Sequence, residues 1–378
     1  MNAMKLELIA TATFGLEAVV KRELQNLDFN IIKSEDGKIT YDGDEKGIVK
    51  SNLWLRTADR VLIKLAEFKA LEFEDLFQGI NSIPWERFIE EDGNFAIDCT
   101  SVKSKLRSVR SCQSVSEKAI IKKLQETYDE QRFAKTGAPF TIRVTILKDI
   151  VTVALDTTGA GLHKRTYRTK NVEAPMKETL ASALIQLTFW KEGRLLVDPF
   201  CGSGTIPIEA AMIGRNIAPG LDRSFASEEW SFLDKSIWSR ERQNAYRSIN
   251  QKADVRIKAS DISKKSIEAA RENAINAGVD DCIDFTVMPF SNLEAEEEQG
   301  IMITNIPYGE RIGEDRDLKR IYKDIGQFFI TNPTWSLFLI TSDKKFESFA
   351  MKRPADRRRK LYNGRIETTY YQYLGQKK

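Results

Sequence analysis

From about residue 171 to the end of the chain, short apolar runs alternate with segments of helical period, and this alternation constrains the fold more than any other feature. Residues 194–198, 256–260, 284–288, 300–304 and 336–341 read as strands, with helices at 263–277 and 318–330 among them. Strand and helix in succession imply an open, mainly parallel sheet with helices on both faces, a Rossmann-like α/β domain. Ligands of such domains lie at the carboxyl ends of the strands. Asn363-Gly364 between strand-like flanks adds a C-terminal hairpin.

The preceding half has a different pattern. Strands at 5–10, 31–32 and 38–41 with a helix at 16–27 make a small α/β unit over 4–55. Over 56–162, strands at 61–68, 94–100, 140–147 and 150–155 surround helices near 73–80 and 114–131, an α+β binding region with nothing catalytic in its pattern. The catalytic half then spans 163–378. Its long insertion at 214–254, with Trp230 and Trp238, reads as an elaborated crossover.

Residue usage narrows the function classes. Hydrophobic residues at 42% and charged ones at 30% are ordinary for a soluble globular protein. No apolar run approaches the ~20 residues of a bilayer span, and the N-terminus lacks a charged-then-apolar secretory pattern, so a cytoplasmic protein is expected. The four cysteines form no C-x-x-C pair, and with His163 as the single histidine, neither a His/Cys metal site nor a histidine-based triad is expected. A net charge of +3 is too small to diagnose a polyanionic partner, but its distribution is uneven.

Three motifs fall at predicted strand ends. Asp198-Pro-Phe200-Cys201-Gly202-Ser-Gly204-Thr205 follows the first strand; Gly202 and Gly204 allow a tight turn and close backbone approach to a ligand. Pro207 stands where a dinucleotide fingerprint has its third glycine, and no G-x-x-x-x-G-K-[ST] occurs. A ligand without phosphates, carrying a sulfonium and an amino-acid tail, suits this loop better than NAD or ATP. Asp261, after the second strand, can accept the ribose hydroxyls of an adenosine or cap the next helix.

Asn305-Ile306-Pro307-Tyr308 ends the fourth strand in the same cleft. The lone pair of an exocyclic base amine is delocalised into its ring. Two acceptors, the Asn305 amide oxygen and a carbonyl beside Pro307, would favour a pyramidal nitrogen, and Tyr308 would stack on the base. Ring-carbon methylation would call for a Pro-Cys nucleophile, which the chain lacks.

These motifs resemble motifs I, II and IV of Rossmann-like amino-methyltransferases. Gly161–Arg168 and Arg359–Gly364 are similar to flanking segments of the THUMP-domain-containing guanine-N2 RNA methyltransferases, the RlmL-like type acting on large-subunit ribosomal RNA and often labelled N6-adenine-specific DNA methylases. The resemblance implies a ferredoxin-like start, a THUMP RNA-binding domain and S-adenosyl-L-methionine as cofactor. It also implies that Pro175, Glu178 and Thr179 close over the methionine end, and that Ile262, Pro289 and Phe290 join Asp198, Phe200, Gly202, Gly204, Thr205 and Asp261 around the cofactor. Two departures stand out: Ile306 replaces a proline of N-P-P-Y, and Met288-Pro289-Phe290 replaces an Asp that faces the adenine.

Basic residues flank the expected pocket: His163, Lys164, Arg165 and Arg168 on one side, Arg357, Arg358, Arg359 and Lys360 on the other. Phosphate contact with structured RNA is expected there. The expected partner is ribosomal RNA, with no membrane and no metal, and a homodimer is left open. Methylation of tRNA guanine, methylation of DNA adenine, and a catalytically idle RNA-binding assembly factor are the alternatives.

Overall fold

The computed structural model describes residues 4–129, 133–170, 176–306, 315–351, 353–364 and 366–376, with backbone alone at 315–317. The expectations for Pro175, Pro307 and Tyr308 lie outside these residues.

The first half runs β1 (Leu6–Ala12), α1 (Glu17–Asn26), β2 (Ile31–Glu35), β3 (Lys38–Gly43), α2 (Glu45–Trp54), β4 (Ala58–Lys69), α3 (Phe73–Asn81), β5 (Asn94–Val102), α4 (Val109–Tyr128), β6 (Pro139–Leu147) and β7 (Ile150–Asp156). Its strands form one seven-stranded sheet in the order β2-β3-β1-β4-β7-β6-β5. The units at 4–55 and 56–162 therefore share hydrogen bonds, because β4 pairs with β1 on one edge and with β7 on the other. Lys148 and Asp149, both at positive φ, make the tight turn that joins β6 to β7.

The second half begins with α5 (Glu178–Thr188), β8 (Leu196–Asp198), α6 (Thr205–Gly214), α7 (Lys235–Arg247), β9 (Ile257–Asp261) and α8 (Lys264–Asn276). It continues through β10 (Ile283–Val287), β11 (Ile301–Asn305), α9 (Asp315–Thr331), β12 (Ser336–Thr341), α10 (Phe346–Ala350), β13 (Arg357–Asn363) and β14 (Ile366–Tyr373). The sheet order is β10-β9-β8-β11-β12-β14-β13. The first five strands are parallel; β14 runs antiparallel to β12, and β13 forms the edge. Side-chain alternation builds a core on each face. Leu196, Ile301 and Ile303 meet α5, α6 and α8, while Leu195, Val197 and Met302 meet α9 and α10.

The insertion does more than cross over. Trp230 is fully buried in the first half's core, stacked on Phe140 at 5.1 Å, with its indole N–H donated to the Pro139 carbonyl at 3.1 Å. Trp238 on α7 belongs to the same core, stacked on Phe225 at 5.1 Å. The segment links α6 to β9 as an elaborated crossover and also straps the catalytic half onto the first.

Candidate active site

The motif I loop spans the residues between the end of β8 at Asp198 and the start of α6 at Thr205. Gly202 and Gly204 both have positive φ, and Gly204 caps α6. A Cβ on Gly204 would sit 3.1 Å from the Ala270 Cβ, so the residue also lets α6 approach α8.

Asp198 ends β8 with its carboxyl buried. Its Oδ1 accepts from the Thr304 hydroxyl at 2.7 Å and from the Phe200 amide at 3.2 Å. Burial pushes this carboxyl up to about 7, with the two hydrogen bonds opposing the shift and the nearby Asp261 adding to it. Thr304 went unnoticed in the sequence. Its signal was a polar residue near the end of an otherwise apolar strand, and it ties the motif I strand directly to the strand that carries Asn305.

Asp261 is not the cap of α8; that role belongs to Ser263, whose side chain accepts from the Ser266 amide. The Asp261 carboxylate instead joins two loops, accepting from Gly202 N–H at 3.1 Å and Ser263 N–H at 2.9 Å. Ile262 beside it is 75% exposed, an aliphatic side chain with nothing packed over it. The Phe290 ring is buried, stacked on Phe200 at 5.6 Å and against Phe328 at 6.3 Å. Pro289 immediately before it is half-buried.

Asn305 is the last residue of β11 and Ile306 follows it, fully buried. The Asn305 Oδ1 is buried and accepts no hydrogen bond from the described residues. A buried amide oxygen without a donor costs about 1–3 kcal/mol, so a donor brought to this strand end would be stabilised.

The basic residues divide. Arg165 is buried; it pairs with Glu209 at 3.3 Å and donates to the carbonyls of Leu162 and of Arg56, the latter at 2.8 Å. The expectation that it meets RNA is overturned, because its guanidinium is committed inside the protein. Arg168 also turns inward, pairing with Glu178 at 2.8 Å and donating to the Thr205 hydroxyl at 2.6 Å and the Met176 carbonyl at 3.1 Å. It braces the motif I loop against the start of α5, where Thr179 is buried, and is no free phosphate contact. Burial, with Lys177 nearby, holds His163 down to about 4, so it is neutral at physiological pH. Lys164 and Arg357 are exposed. Arg358 forks onto Glu347 at 2.8 Å, Lys360 pairs with Glu367 at 2.7 Å, and Arg359 is half-buried.

Among the described residues there is no group of His, Cys, Asp and Glu that could hold a metal, and no helix long and apolar enough to cross a membrane.

Comparison with known proteins matches three family models in order along the chain. They are the RlmL ferredoxin-like domain at residues 7–62, the THUMP domain at 70–156, and the RMKL-like methyltransferase domain at 165–372. "Putative RNA methyltransferase YpsC" of Bacillus subtilis (strain 168) is 45% identical over 98% of this chain and 96% of its own. "Ribosomal RNA large subunit methyltransferase K/L" of Psychromonas ingrahamii is 36% identical over 95% of this chain, which spans only 49% of that longer protein. The crystal structure of SMU.472, "a putative methyltransferase complexed with SAH", superposes with a TM-score of 0.93 at 41% identity, covering 100% of both chains.

Proposed function

On the premise that this chain belongs to the RMKL-like methyltransferases carrying an RlmL ferredoxin-like and a THUMP domain, we propose that it methylates the exocyclic N2 of a guanine in structured, large-subunit ribosomal RNA. It is an S-adenosylmethionine-dependent RNA methyltransferase, as its relatives' names and the bound SAH of SMU.472 support. We divide it into a ferredoxin-like unit at 4–55, a THUMP unit at 56–162 and a catalytic domain at 163–378, working in the cytoplasm.

The observation that carries the reading is the unpartnered Asn305 Oδ1 at the end of β11. An amino group of a base is the donor that site wants, and accepting its N–H turns the nitrogen lone pair out of the ring plane. The Ile306 carbonyl is the second acceptor in this reading, so the side chain at that position is free to differ from proline. When bound, S-adenosylmethionine supplies an electrophilic methyl group on a sulfonium, so the protein's share of the work is positioning.

The residues present fit that cofactor. Asp198 offers a buried carboxyl to a cationic amino-acid tail, Gly202 and Gly204 supply the positive-φ turn between them, and Asp261 and Ile262 offer a carboxylate and an apolar face to a nucleoside. Thr304 binds Asp198, so the two halves of the site move together. Lys164 and Arg357 remain as surface cations for RNA phosphates.

Transfer of labelled methyl to protein-free ribosomal RNA and tRNA from a strain lacking the gene, followed by nucleoside analysis, tests the proposal. N2-methylguanosine in large-subunit RNA is the expected product. Label confined to tRNA would move the substrate, and N6-methyladenine in duplex DNA would overturn it.

A further inference from the structure

One aromatic side chain of the first half is left half in solvent at the seam with the catalytic half. Phe14, in the β1–α1 loop, is 52% exposed, whereas Tyr41 and Trp85 of the same half are fully buried. The loop that carries it is stitched down. Glu17 accepts from the Gly15 amide at 2.9 Å and the Gly37 amide at 3.0 Å, and Leu16 N–H donates to the Thr13 carbonyl at 3.0 Å. Gly15, at positive φ, lies so close to β13 that a Cβ would sit 3.0 Å from the Lys360 carbonyl oxygen. Phe14 in turn meets Tyr362 of β13 edge to face, with ring centroids 6.4 Å apart. Lys360 lies over the Tyr362 ring at 5.7 Å. An aromatic serving only to dock two domains would be covered by the docking, and Phe14 is not.

Strand register places this pair relative to the catalytic asparagine. Asn305 lies in one row with Ile340, Tyr370 and Arg359. Tyr362 is three residues further along β13, beyond the carboxyl ends of the parallel strands, which is the side on which the base must enter. At about 3.3 Å per residue and about 4.8 Å between strands, Tyr362 stands roughly 10 Å above and 14 Å to the side of Asn305. That separation is a few nucleotides of an unstacked strand. Lys360 is paired with Glu367, so its charge is largely offset at this point of β13, while the Phe14 ring stays open to solvent.

We infer that Phe14, held in place by Tyr362, stacks on an unpaired RNA base a few nucleotides from the guanine that reaches Asn305. The inference rests on the proposed RNA substrate and names a contact that sets which RNA shapes fit. It also gives the first half a direct part in presenting the target, because the ring belongs to one half and its support to the other.

The test is affinity of the full-length protein for protein-free large-subunit ribosomal RNA, measured without S-adenosylmethionine, alongside its affinity for S-adenosylhomocysteine. Phe14→Ala and Phe14→Leu should each weaken RNA binding by roughly five- to a hundredfold, the range for losing one base–aromatic stack, and by the same factor at low and high salt. Phe14→Trp and Tyr362→Phe should bind as the wild type does, and S-adenosylhomocysteine affinity should stay within about twofold throughout. Leucine keeps the apolar contact with Tyr362 but has no ring face, so RNA binding by Phe14→Leu equal to wild type would overturn the inference. Loss in Phe14→Ala accompanied by equal loss in Phe14→Trp would overturn it as well. Because binding is read without transfer, a wild type that binds RNA but methylates none would sink the methylation proposal and leave the stacking contact standing.

Discussion

Asn305 and Asp198 perform separable tasks, and single substitutions should show it. Replacing Asn305 with alanine removes the acceptor for the amine and nothing the cofactor needs. Methyl transfer should fall by 100-fold or more, while S-adenosylhomocysteine affinity by calorimetry stays near normal; near-normal turnover would refute the role. Asp261→Ala should act in the opposite order, weakening cofactor binding first, because it also frees the Gly202 amide. For Asp198 the pH dependence has a definite sign. Its folded-state value of about 7 lies above the ordinary 3.8, so its burial is best tolerated at low pH and costs stability as pH rises through that window. A cationic cofactor tail binds the ionised form, so affinity should rise toward pH 7 by up to about tenfold per unit and level off above it. Asp198→Asn should bind weakly with a flat profile from pH 6 to 8, and an unchanged slope in that variant would assign the titration elsewhere. These residues were readable in the sequence because motif order and strand ends located them. Thr304 and the inward turn of Arg165 and Arg168 were not, since a basic run has the same appearance whether its side chains face solvent or a buried carboxylate.

At the scale of elements, legibility followed amphipathic pattern. The strands of both sheets and helices α1, α3, α4, α8 and α9 lie where periodicity puts them, within a few residues at their ends. Helix α2 escaped notice because its buried side includes Ser51 and Asn52, which accept and donate inside the protein. Tyr41 donates to Ser51 at 2.8 Å and Asn52 donates to Thr157 at 2.8 Å. Polar Ser51 and Asn52 beside Ile48, Val49 and Leu53 on the inner face blur the apolar stripe that would mark the helix. The insertion escaped differently: its tryptophans were visible, but the partner of Trp230, Phe140, is about 90 residues away in sequence. Trp230→Ala should cost about 3–5 kcal/mol in a reversible denaturation, through a large cavity and an unsatisfied Pro139 carbonyl. The tryptophan belongs to the first half's core, so turnover of the folded fraction should be unchanged; a loss under 1 kcal/mol would show that the strap bears little on stability.

Across the whole molecule, the seam between the halves includes a cluster of buried polar groups. Glu23 of α1 is buried, accepts from the Thr57 hydroxyl at 2.6 Å and Gln186 of α5 at 2.5 Å, and burial raises its carboxyl. Beside it, the Arg165–Glu209 pair is completed by donors from Tyr167 at 3.0 Å and from Ser182. Such a pair is costly to break from one side only: Arg165→Met should destabilise by about 3–5 kcal/mol, and Arg165→Met with Glu209→Gln by distinctly less. A double-variant loss equal to the sum of the two single-variant losses would mean that the two residues are not coupled. The strap has a consequence in time. The first half's core includes Trp230 and Trp238, so that core stays unfinished after β7 has left the ribosome. At about 5–20 residues per second, the ~80 residues from Asp156 to Trp238 take roughly 4–16 s to appear. For those seconds the nascent first half exposes the Phe140 face that Trp230 will cover, an interval in which a chaperone's hold, or another chain's stray contact, has its opportunity.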